Sequence, residues 1–153
     1  MQRLIKTCGL CTVLLVGAAV AAPAWAQAAP DKAIEYRQQV YKTLGANLTA
    51  IALNLRQEVS FAENIPAHAD ALAAVIPLVA GATEQNTAGQ GSAQTEAKPE
   101  IWDEWDEFVE LAEDSEAAVM ELANVADSGD MQAIGAQLQA TAASCKACHD
   151  RFR

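Results

Sequence analysis

Residues 145–149 read Cys-Lys-Ala-Cys-His, close to the end of a 153-residue chain. Two thiols at i and i+3 with an imidazole at i+4 fall on one face of a helix. Thiols at that spacing suit addition to the two vinyl groups of one haem, and the adjacent imidazole then falls under the iron. The motif therefore requires a fold whose last helix borders a haem-sized slot. Three other chemistries compete for the same residues. A redox dithiol needs a thioredoxin-like strand–helix context, and no stretch here alternates like a strand. A structural zinc site needs four ligands, and from residue 27 onward the only other Cys or His is His68. A disulfide between Cys145 and Cys148 leaves the histidine without a purpose.

The N-terminus places this chemistry in an exported protein. Arg3 and Lys6 precede an apolar run from Leu10 to Val20, and Ala24-Trp25-Ala26 is a small-x-small cleavage site. Residues 1–26 thus read as a secretory signal peptide. The apolar run is shorter than the ~20 residues of a membrane span. A lipoprotein anchor is not expected at Cys8 or Cys11, because Lys6 and Leu10 stand where small residues are needed. Removing 26 of 153 residues leaves 127, residues 27–153, the length of one domain. The leader holds two of the ten Lys and Arg and none of the twenty Asp and Glu. The remainder therefore carries eight against twenty, a formal charge of −12. So acidic a surface argues against nucleic acid as a partner. It suits solubility, or steering toward a basic redox partner.

Beyond the leader the periodicity is helical. The first helix is expected from Asp31 to about Glu58, with Ile34, Tyr41, Leu44, Leu48, Ile51 and Leu55 on its inner stripe. The second is expected from Pro66 to Ala80, with Ala69, Leu72, Ile76 and Val79 inward, and with Pro77 kinking or fraying its last turn. Residues 81–98 form a polar connection, long enough to be either functional or mobile. Pro99 suits the first turn of a third helix to about Ala126, burying Ile101, Trp105, Phe108, Ala112, Val119 and Leu122. Asp130 is placed to cap a fourth, with Met131, Ile134, Leu138, Ala142 and Cys145 inward. These elements predict an all-α, antiparallel four-helix bundle with one covalently bound haem.

The second axial position decides the function, because a low-spin carrier adds a Met or a second His. Met131 opens the last helix, about 20 Å of helical rise from the cysteines. Met120 lies midway along the third helix. The first helix has neither Met nor His, and His68 reads as a solvated surface residue. The iron is expected to have no second protein ligand.

Tyr36-Arg37-Gln38, Lys98-Pro99-Glu100-Ile101-Trp102, Ser128-Gly129-Asp130 and the terminal C-x-x-C-H, in that order, resemble the cytochrome c′ family across nearly the whole mature chain. The resemblance implies a periplasmic bundle, usually a homodimer, with haem c held by Cys145 and Cys148. It implies a five-coordinate iron ligated by His149 that binds nitric oxide and carbon monoxide. It implies Arg37, Gln38, Thr95 and Glu96 along the haem edge and propionates, Tyr41 over the distal face, and Arg153 beside the proximal imidazole. With Tyr41, Leu44 and Leu48 would wall the distal side. Two departures stand out. Tyr41 replaces the more usual Leu, Met or Phe, and Val79 or Ala80 stands where a Phe is common near the end of the second helix. The alternative is a low-spin electron carrier of the same fold. An enzyme is not expected, since the distal stripe offers one phenol and aliphatics rather than a catalytic base.

Overall fold

The computed structural model describes residues 27–153. The expected signal peptide, residues 1–26, lies outside them. Helix α1 spans Pro30–Leu55, α2 Ile65–Val75, α3 Leu78–Thr83, α4 Glu100–Asp103, α5 Trp105–Ala126 and α6 Met131–Phe152, with a short 3₁₀ turn at Ala62–Asn64. They form four rods, because α2 and α3 continue one another and so do α4 and α5. The described residues contain no strand.

Each rod buries a seam with the alternating three- and four-residue spacing of coiled-coil-like packing. Along α2 and α3 it is Ile65, Ala69, Leu72, Ile76, Val79 and Thr83, all buried. Along α5 it includes Phe108, Ala112, Ser115, Val119, Leu122 and Ala126. In α1 the expected stripe skips from Ile34 to Tyr41, and the position between them is Arg37, which is buried. In α6 the inward residue is Thr141, not Ala142. Ala142 and Met131, both expected inside, are exposed. The Thr141 hydroxyl is satisfied by the carbonyls of Gln137 at 3.0 Å and Ala118 at 3.1 Å, so its burial leaves no orphaned polar group. Phe152, three turns of seam below Thr141, is also buried.

The helix ends differ from expectation for local reasons. α1 stops at Leu55 rather than Glu58. Gln57 takes φ +57°, its N–H donates to Asn54 O, and Glu58 N–H donates to Leu53 O. That pair of bonds is a Schellman ending built on Gln instead of Gly. Pro77 interrupts the second rod, as expected, but the chain regains the helix and runs to Thr83, past Ala80. The third rod is not continuous from Pro99. Glu104, at φ −124° and ψ 46°, separates α4 from α5. Asp130 caps α6, its carboxylate accepting from Gln132 and Ala133 N–H.

The connection after Thr83 is tied down. The Asp31 carboxylate accepts from the N–H of Ser92 at 2.6 Å and of Ala93 at 2.8 Å, and Gln85 donates to Ala28 O at 2.8 Å. Gly91 is required here: at φ +75°, a Cβ would lie 2.2 Å from Asp31 Oδ1. Neighbouring rods pack along their length, whereas α1 and α6 barely touch. The gap between them is where the site lies.

Candidate functional site

A cavity of about 790 Å³ opens between α1, α3, α5, α6 and the loop before α4. Cys145, Cys148 and His149 from α6 reach it, as do Arg37, Gln38, Tyr41, Leu44 and Leu48 from α1, Thr95 and Glu96 from the loop, and Arg153. The residues expected from sequence to hold or surround the haem thus border one cavity. Cys145 and Cys148 sit at seam positions of α6, where a bundle normally places core side chains. Both are half-buried free thiols. The described residues hold no cluster of three or more His, Cys, Asp or Glu suited to a metal ion.

Burial pushes both thiols above their ordinary range. For Cys145 the hydroxyls of Ser144 and Ser115 oppose that rise, and for Cys148 the neighbouring Cys145 adds to it. Burial, then the Arg153 charge, lowers His149, against the pull of Asp150. Lowering favours the neutral imidazole, the form that ligates metals.

Arg37 is the decisive polar residue. It is 3% exposed. Its guanidinium donates to Thr87 Oγ1 and Thr95 Oγ1, each at 3.2 Å, and lies 5.6 Å over the Trp102 ring. Trp102 is fixed in turn by its indole N–H on Thr83 O at 2.9 Å. Among the described residues no carboxylate pairs with Arg37. A buried guanidinium without an anion is costly, so this wall is built for a negatively charged group.

The rest of the rim is polar too. Gln38 Nε2 donates to Gln94 O at 2.7 Å, and Glu96 forms an ion pair with Arg153. Arg153 thus joins the loop as well as neighbouring His149, and the chain's last residues are held in place. Deeper in, the wall is apolar: Leu44, Leu48, Ile76, Val79, Ile101, Phe108, Ala112 and Phe152. Tyr41 is half-buried among them. Burial raises its phenol, and the Thr83 hydroxyl pulls it back. His68 is half-buried and bonded through Nδ1 to Asn47 Oδ1 at 2.8 Å, so it is neither fully solvated nor part of the cavity.

Sequence reasoning missed Thr83, Ser115 and Phe152 in the lining. The first two are polar residues on seam positions, a signal that a strict three–four count would have found. Phe152 lies one seam step beyond Cys148.

An apolar slot with a cationic, hydrogen-bonding rim, two thiols and an imidazole fits a haem with its two propionates. The fold and the site thus define a class, a four-helix bundle that carries one covalent haem c. The chain belongs to the cytochrome c′ family: the family model described as Cytochrome C' matches residues 32–153. It is similar to the cytochrome c′ of Rhodospirillum rubrum, 37% identical over 129 residues that cover 84% of this chain and 86% of the relative. It superposes on a solved cytochrome c′ noted for ligand-controlled dimer dissociation, with a TM-score of 0.77 and 29% identity over 84% of this chain and 98% of the other. A ferrous variant of the Alcaligenes xylosoxidans protein with bound nitric oxide matches with a TM-score of 0.73 and 26% identity, over 84% and 99%.

Proposed function

We propose that this chain is a periplasmic cytochrome c′ that binds nitric oxide and carbon monoxide at a five-coordinate, high-spin haem. In this reading Cys145 and Cys148 attach the haem and His149 is the axial ligand. Arg37, Gln38, Thr95 and Glu96 line its edge, Tyr41, Leu44 and Leu48 cover the distal face, and Arg153 flanks the proximal side. One observation carries it: apart from His149, neither His nor Met lines the cavity. Met120 and Met131 are exposed elsewhere, and His68 is held by Asn47. The haem supplies the iron at which a diatomic gas binds. The chain holds the imidazole on one side, and on the other excludes larger ligands with a phenol and aliphatic side chains. The relative with bound nitric oxide supports the same reading.

Residues 1–26 are proposed as a cleaved export signal, leaving residues 27–153 as the mature domain. No helix among the described residues is long and apolar enough to cross a membrane. We propose a homodimer, on the strength of the relative whose dimer responds to ligand, an electron-transfer role with a redox partner, and no enzymatic turnover.

The test is the optical spectrum of purified protein, oxidised, reduced, and reduced with carbon monoxide or nitric oxide. Broad high-spin bands that shift with gas are expected. Sharp low-spin bands that ignore gas would overturn the proposal in favour of a six-coordinate electron carrier.

A further inference from the structure

Residues 94–98 touch both sides of the cavity. On the α1 side, Gln94 O accepts from Gln38 and Thr95 Oγ1 accepts from Arg37. On the α6 side, Glu96 pairs with Arg153. Lys98 makes three further bonds to the last turn: its N–H donates to Phe152 O at 3.0 Å, and its ammonium donates to Arg151 O at 3.2 Å and Asp150 O at 3.4 Å. We propose that this segment is a strap joining the distal-edge residues of α1 to the terminal turn of α6, and that Lys98 is a positioning residue for His149. The inference rests on the reading of His149 as the axial ligand.

The physical case starts from the helix end. The final turn of a helix leaves carbonyls without intrahelical partners and carries the negative end of the dipole. An ammonium placed on those carbonyls satisfies both. Lys98 has no carboxylate partner among the described residues, so its charge is committed to this role. The turn it closes begins at His149, whose carbonyl accepts the last helical bond, from Arg153 N–H at 3.0 Å. If that turn opens, the backbone that aims the imidazole loses its constraint. α1 and α6 barely touch directly, and the strap adds a bonded link between the two sides of the cavity. Pro99, following at once as α4 begins, fixes where the strap leaves.

The experiment compares holoprotein carrying Lys98→Met or Lys98→Arg with wild type. Met keeps the apolar stem and the backbone bond to Phe152 and removes only the ammonium. Three quantities are read: hydrogen exchange in the peptide covering residues 146–153, the iron–histidine stretching band of the reduced protein, and the melting temperature. The expected result for Lys98→Met is roughly tenfold faster exchange in that peptide, the loss of a charge-assisted bond. The iron–histidine band should shift or broaden with it, and Lys98→Arg should restore both. If Lys98→Met does not mature, Lys98→Gln is read in its place with the same expectation at smaller amplitude. A lower melting temperature with wild-type exchange and an unmoved band would overturn the proposal, leaving Lys98 a helix cap only. A wild-type protein that is low-spin and ignores carbon monoxide would overturn the functional reading instead. The exchange comparison would then still decide the strap.

Discussion

Replacing Arg37 by Met removes a buried positive charge from the cavity wall while keeping the length and the contact with Trp102. Burial lowers the guanidinium from its ordinary range, yet arginine keeps its proton at neutral pH. A cavity of about 790 Å³ equals a sphere roughly 11 Å across, which puts a wall charge roughly 6–11 Å from charge inside it in the Coulomb relation. At an effective dielectric constant of about 20, that is about 1.5–3 kcal/mol, or roughly 65–130 mV for one electron. Water at the open rim screens part of this, so a fall of at least about 40 mV is expected. The sign is fixed: a cation favours the form that has gained an electron, so its removal lowers the potential. The assay is a redox titration followed optically, with Arg56→Met as control. Arg56 is exposed and lies outside the cavity lining, so its change should stay under about 10 mV. Equal potentials for the two variants would refute the argument that the Arg37 guanidinium serves a charged group in this cavity.

Three further outcomes follow from particular residues. Gln57→Gly should stabilise the fold by about 0.5–1 kcal/mol, raising Tm by roughly 2–4 °C, because glycine takes a positive φ without the cost to an L side chain and recovers more than its extra unfolded-state entropy takes away. A fall in Tm would show that the Gln57 side chain has a role of its own. Phe152→Ala should cost about 3–5 kcal/mol in chemical denaturation, although Phe152 is the penultimate residue, since it is buried and edge-on to Phe108 at 5.5 Å. A loss below about 1 kcal/mol would mean that the chain end frays. Asp31 has a carboxyl held below its ordinary range by the N–H groups of Ala93 and Ser92. A lowered folded value means that its contribution is present above the ordinary aspartate range and is lost as pH falls through the folded value. Wild type should therefore exceed Asp31→Asn in stability at neutral pH, and the gap should close in acid. A gap independent of pH would contradict the clamp.

The haem motif, the all-helical class and the turn at Asp130 were legible because each rests on local chemistry: a fixed thiol spacing, apolar periodicity, a short carboxylate before a helix. The end of α1 was not, since Gln57 carries no glycine signal and only the two Schellman bonds make its conformation worthwhile. The break at Glu104 was not either; no proline or glycine marks it. Apolar counting also left gaps in the seams. It passed over Arg37, Ser115 and Thr141, because a search for hydrophobic residues at helical spacing treats a polar one as absent. The composition of the loop allows either a functional or a mobile segment, and what decides it is long-range: Asp31, Arg37 and Gln38 each reach across more than fifty residues to hold it.

Those passed-over positions explain how the bundle makes room. The polar residues on the four seams are Arg37, Asn54, Thr83, Ser115, Thr141, Cys145 and Cys148, and all but Asn54 and Thr141 line the cavity. Those two are satisfied within the bundle: the Thr141 hydroxyl bonds to a carbonyl of its own helix and one of α5, and the Asn54 amide donates to Ala50 O and accepts from Phe61 N–H. Both rod breaks fall at the same level, since Ile76 and Val79 flank Pro77, Ile101 and Phe108 flank Glu104, and all four border the cavity. In the other half, Ile51, Leu72, Leu122 and Ile134 are essentially sealed from solvent. Four unbroken rods with apolar seams throughout would close along their whole length, as native interiors do. Here one half follows that rule. In the other, small polar and thiol side chains occupy seam positions and the helices break beside them, so the core that is missing there is the size and chemistry of the group the chain holds.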